Sequence, residues 1–198
     1  MAAWSRVIYA LVIGALCFAN VNLALARYAE ERGPENDRTT HAAESMWWKK
    51  YHWHKATIRS HVSSSNSEAI KAINVWNEKT LLTLPSSTTH TDISVLRGAY
   101  GLTRWRGLAE LESVARDSHC ANGYCEIRHC HATLNTSYSG SSWRYQGTYC
   151  MEIGHCLGLA HDSDIGCMNS SAMNAGQSNA PSADNIKAIN GKYAPLMF

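Results

Sequence analysis

The residues best placed to do chemistry lie in one run, Cys150 to Asp162, which reads CMEIGHCLGLAHD. Glu152 and His155 stand three apart, and His161 follows after Gly158. Residues four apart on a helix share a face, so positions 151 and 155 can address one ion. Glu152, between them, is turned toward the same point, where it can take a proton from a zinc-bound water. Gly158 ends the helix and permits a left-handed turn. The reversed chain then delivers His161. Three protein ligands plus water make an open catalytic zinc site. On this pattern His155 and His161 are metal ligands and Glu152 is the general base. The first ligand position holds Met151, a soft thioether better matched to Cu(I) than to Zn2+.

The run departs at that one residue from the pattern H-E-x-x-H-x-x-G-x-x-H. MEIGHCLGLAHD followed by GCMN resembles the metzincin metallopeptidases, in particular their matrixin-like secreted group. The likeness extends over roughly residues 50–198. It implies that Met168 is the methionine of the Met-turn, a hydrophobic floor beneath the metal. It implies that DISV at 92–95 belongs to the central strand. By the same likeness ATLNTSY at 132–138 is the edge strand, along which a peptide lies extended near Asn135. The implied fold is α+β: a twisted mixed sheet with two long helices, the active-site helix being followed by the Met-turn and a C-terminal helix. The implied activity is endopeptidase hydrolysis by a Glu-activated zinc-bound water, with one catalytic Zn2+ and a protein or peptide substrate. The family fold also brings Cys150 and Cys167 together, which implies a disulfide between them. Cys156, on a different helix face from Cys150, does not pair with it.

Met151 leaves three readings open. In one, the chain is a pseudo-peptidase that has lost zinc and serves as an extracellular protein- or peptide-binding module. Losing even an outer-shell partner costs about 10–100-fold in metal affinity, and losing a ligand costs more. In another, His129, His131 or Asp162 supplies the third ligand; a carboxylate is an acceptable zinc ligand. In the last, the chain is a variant of an active parent. A Trp-rich carbohydrate-binding module using Trp47, Trp48 and Trp53 has only composition behind it.

These residues need elements to hold them. The chain has 198 residues, 45% hydrophobic and 17% charged, a composition that excludes disordered, collagen-like and coiled-coil classes. A net charge of +2 makes no electrostatic case for nucleic acid. Residues 1–26 read as a signal peptide, with a single charge at Arg6, an apolar run and the ending Ala24-Leu25-Ala26. Residues 27–45 read as a flexible arm, and 46–198 as the catalytic domain, secreted, monomeric and free of the membrane after cleavage. Beyond Cys17, the cysteines are Cys120, Cys125, Cys130, Cys150, Cys156 and Cys167. An even set in an exported chain favours disulfides. No cysteine lies between Arg27 and His119, so the thiol switch that keeps matrixins latent is not expected.

Alternation predicts strands over 53–62, 81–85, 92–96 and 125–135. Ser67 is the expected N-cap of a helix burying Ala69, Ile70, Ile73 and Trp76. Residues 97–122 read as loop with a short helical piece over 108–116, and 137–147 as loop. Helices are expected over 146–157 and after Pro181. His52, His54 and His61 read as solvated, and His129 and His131 as surface strand residues. Asn135 and Asn169 begin glycosylation sequons.

Overall fold

Cys125–Asn135 forms the longest strand, β5, and the rest of the sheet assembles around it. The computed structural model describes residues 51–114, 125–169 and 178–196. All lie in one compact unit, Arg38–Phe198. The other strands are β1 (Tyr51–His52), β2 (Ser60–His61), β3 (Ile93–Gly98) and β4 (Gly107–Val114). β3 runs parallel to β5, from Ile93 opposite Cys130 to Gly98 opposite Asn135. β2 continues the parallel run beside β3, and β1 pairs with the start of β5. β4 pairs antiparallel on the other flank of β5. Helices α1 (Ser67–Lys79), α2 (Ser142–Cys156) and α3 (Ala183–Tyr193) complete the described architecture. The expected α+β class, a mixed sheet with helices, is what forms.

The core lies between the sheet and the helices. Cys130, Ala132 and Leu134 of β5 point into it, with Ile93 and Val95 of β3. α1 buries Ala69, Ala72, Ile73 and Trp76, the stripe its period predicts. Its N-cap is Asn66 rather than Ser67. Asn66 Oδ1 accepts from the Ala69 amide, and its Nδ2 donates to the Tyr149 hydroxyl at 2.7 Å. α2 begins one turn earlier than expected, at Ser142, because Ser141 caps it through the Arg144 amide. Trp76 Nε1 donates to the Cys150 carbonyl, which fastens α1 to α2.

Several expectations are corrected. Residues 107–114 form a strand, not a helical piece. Leu108, Leu111 and Val114 have helix-like spacing, but an irregularity in pairing after Leu111 produces that spacing on an extended chain. The segment 132–135 is not at the sheet edge. It pairs with β3 on one side and β4 on the other, so among the described residues the edge beside it is β4. Residues 53–62 and 81–85 hold little regular strand; Thr57 and Thr83 meet in an isolated bridge. His52 is buried, whereas His54 and His61 are exposed. Trp53 is buried and its Nε1 donates to the Cys156 carbonyl at 2.8 Å, so it offers no sugar-stacking face. Trp47, Trp48 and the expected signal segment lie outside the described residues.

Cys150 bonds to Cys167, as the resemblance implies, and Cys130 bonds to Cys156. Cys125 is also disulfide-bonded. The first bridge closes a 17-residue separation, for which chain entropy gives about 3 kcal/mol. Replacing both Cys150 and Cys167 by Ala is therefore expected to lower the unfolding free energy by about 3 kcal/mol in a urea titration. An unchanged midpoint would contradict that role.

Candidate active site

α2 is buried from Gly147 to Gly154, which is unusual for a helix in a small domain. One carboxylate sits inside that stretch. Glu152 is 5% exposed, and a buried carboxylate needs a compensating environment or a function. It faces β4: a Cβ on Gly107 would stand 2.2 Å from Glu152 Oε1. Only glycine lets the strand backbone come this close to the carboxylate.

The end of α2 sets the next part. The Gly158 amide donates to the His155 carbonyl and the Leu159 amide to the Gly154 carbonyl. This pair of bonds closes a helix on a left-handed residue, and Gly158 has φ 100°. The chain turns back, as the glycine spacing predicts, and brings His161 to His155. Their Nε2 atoms are 3.1 Å apart and the ring planes meet at 67°. His155 Nδ1 donates to the Leu159 carbonyl at 2.8 Å. That bond fixes the ring and directs the lone pair of Nε2 outward, as metal-binding imidazoles require. Two nitrogens at this spacing, each about 2.0–2.1 Å from one zinc ion, subtend roughly 100°, near the tetrahedral angle. These two residues fit zinc. Met168 Sδ packs against Gly154, where a Cβ would come within 2.3 Å of the sulfur, and Trp76 closes the other flank.

Met151 occupies the third position. It lies one turn before His155, is 8% exposed and belongs to the core cluster. The three substitutes proposed for it are all engaged elsewhere. Cys130 faces α2 through its disulfide, so the alternate side chains His129 and His131 face the opposite side of the sheet. There they meet Glu112 of β4, and these three side chains form a group able to hold a metal ion, with ligand atoms within 4.8 Å of one another. Asp162 accepts from Asn185 Nδ2 of α3 at 2.5 Å, and burial raises its carboxyl above the usual range. It braces the turn against α3 instead of joining His161.

Glu112 escapes the sequence reading because its segment reads as loop and helix. Its signal is present only after β4 is paired with β5. Asn135 is also redefined. It is fully buried, 0% exposed, so its sequon is closed to glycosylation in the folded chain. Its Nδ2 donates to the Gly101 carbonyl and Thr103 Oγ1, and its Oδ1 accepts from the Tyr100 and Ser137 amides. It holds the β3–β4 loop; it does not line a peptide-binding edge. The second sequon asparagine, Asn169, is half-buried.

Among the described residues no helix is long and apolar enough to cross a membrane. No protein-family model matches the chain, and no curated protein matches it.

Restoring an imidazole where Met151 stands tests this geometry. Met151→His is expected to raise zinc affinity by more than about 100-fold, since a ligand outweighs the 10–100-fold of an outer-shell partner. Isothermal titration of both proteins measures it. Equal affinities would show that position 151 does not face the ion.

Proposed function

We propose that the chain is a secreted, metzincin-like zinc endopeptidase that cleaves protein or peptide substrates. The observation that carries this reading is the convergence of His155 Nε2 and His161 Nε2 at the end of a helix that also holds the buried Glu152. Its secretion is supported by the N-terminal segment and by the disulfides, which persist in oxidising compartments.

Zinc held at His155 and His161 would supply Lewis acidity to the scissile carbonyl and to water. The chain's own residues do the rest. Glu152 removes a proton from the attacking water and returns it to the leaving amine. Its buried position strengthens each charge interaction there. The Gly107 end of β4 adjoins Glu152. A substrate held beside that end has its scissile carbonyl within reach of Glu152. Met168 and Gly154 keep the helix seated, and His155 is oriented by the Leu159 carbonyl.

Met151 favours a second reading, a binding module that keeps the cleft without turnover. The two readings separate in one experiment. The secreted protein, supplied with zinc, is incubated with an unfolded protein substrate, alongside Met151→His, Glu152→Gln and Gly107→Ala. Chelator-sensitive cleavage is expected, greater in Met151→His, and reduced by about 10²–10⁴ in Glu152→Gln. Gly107→Ala is expected to cut kcat by at least tenfold with the fold retained, because its methyl displaces the Glu152 carboxylate. Peptide binding without cleavage by the unaltered chain, with cleavage by Met151→His, would establish the binding module. No cleavage by either protein would overturn the peptidase reading.

A further inference from the structure

We propose that the β3–β4 loop, with the segment entering α2, is a docking surface for a lipid bilayer that carries anionic headgroups. The loop runs from Ala99 to Arg106 and reads AYGLTRWR. Leu102, near its middle, is 86% exposed, and nearby Tyr100 is 47% exposed. The loop that exposes them is held firmly. Asn135, itself fully buried, accepts from the Tyr100 amide and donates to the Gly101 carbonyl and Thr103 Oγ1. Gly101, at φ 81°, supplies the left-handed step that a side chain would resist. The Tyr100 and Trp105 rings meet with centroids 5.3 Å apart. A buried amide is thus committed to a loop that presents leucine and tyrosine to solvent.

Charge selects the partner. From Arg97 to Ala109, and from Ile127 to Met151, the chain has arginines but no Asp or Glu. The two stretches meet at the loop. Arg106 Nη1 donates to the Ser139 carbonyl, and its guanidinium lies 5.9 Å from the Tyr138 ring centre. Partial burial, and then the nearby Arg144 charge, lower the ionisation of Arg106 from the usual guanidinium value. The group still stays charged at any ordinary pH. Arg97 lies 3.6 Å from Glu68, but among the described residues no carboxylate pairs with Arg104 or Arg106. An anionic surface is the complement of this arrangement. Arginine, tyrosine and tryptophan around an exposed leucine suit a membrane interface, with the rings at headgroup level and the leucine below them. Arginine forks match lipid phosphate, and each cation adds to the attraction of a negative leaflet. A soluble acidic polymer would match the arginines but leave Leu102 in water. A surface contact of this kind needs no spanning helix. It departs from the expectation of a chain free of the membrane. It uses neither His155 nor His161, so it stands or falls independently of the peptidase reading.

The test uses the full chain, with vesicles of equal parts phosphatidylcholine and phosphatidylglycerol and with vesicles of phosphatidylcholine alone. Hydrogen–deuterium exchange, read by mass spectrometry at short times, reports on the loop itself. Protection over residues 98–106 is expected with the anionic vesicles, and it is expected to fall as salt is raised. The lipid concentration for half-maximal protection is expected to rise at least about tenfold in Leu102→Asn and in Arg104→Glu. Both side chains are exposed, and near-ultraviolet circular dichroism confirms that the fold is kept. Lys79→Glu makes the same charge change at the far end of α1 from Glu68, the partner of Arg97. It is expected to shift that concentration by less than about twofold. Absence of loop protection with the anionic vesicles would overturn the proposal. So would equal protection by phosphatidylcholine alone, or undiminished protection in Leu102→Asn. Protection by dextran sulfate or polyglutamate, with none by vesicles, would overturn it in favour of a soluble acidic partner.

Discussion

The candidate site depends on how the last two turns of α2 are gripped. The final carbonyls of any helix lack intrahelical donors, and burying them without partners is costly. Here the partners come from distant parts of the chain. Trp53 Nε1 donates to the Cys156 carbonyl and the Tyr193 hydroxyl to the Leu157 carbonyl. The Tyr193 hydroxyl also accepts from the Trp53 amide, and burial pushes its ionisation well above the ordinary phenol range. The residue therefore stays neutral and keeps donating. Two disulfides hold the same stretch, Cys150 to Cys167 and Cys156 to β5. Glu152 and His155 sit between those two anchors. Their positions follow from a backbone that cannot shift without breaking bonds made to the N-terminal segment, the sheet and the closing helix.

That rigidity explains the close contacts at the site. Gly107 and Gly154 mark places where a backbone approaches a buried side chain, Glu152 in one case and Met168 in the other. The sheet is used on both faces. Even-numbered residues 130, 132 and 134 of β5 build the floor against the helices. Odd-numbered residues 129 and 131 meet Glu112 on the other side. Cys130 lies between the two histidines in sequence and joins β5 to α2 through Cys156. One strand thereby braces the His155–His161 pair while presenting His129 and His131 on its other face.

Local signals carried much of this. The glycine after the helix, the convergence of His161 on His155 and the Trp76 face of α1 rest on short spacings that the sequence displays, whereas the Cys150–Cys167 bridge is implied by the family resemblance alone. The pairing of distant segments was not legible in the same way. β4 hides because the extra residue at Glu112 breaks the period-2 pattern and leaves apolar residues at helical spacing. The resemblance makes 132–138 the sheet edge, and without the pairing of β4 to β5 nothing in the sequence sets Glu112 beside His129 and His131. Asn135 carries a sequon motif, but only the folded β3–β4 loop shows that its amide is consumed internally. His129 and His131 looked like substitutes for Met151 until strand alternation placed them across the sheet.

The central claim is that His155 and His161 hold zinc together in spite of Met151. Anomalous diffraction at the zinc edge, from crystals of the full chain grown with zinc, tests it most directly. The expected result is a peak about 2.0–2.1 Å from both His155 Nε2 and His161 Nε2. Zinc density at Glu112, His129 and His131 alone, with none between His155 and His161, would contradict it.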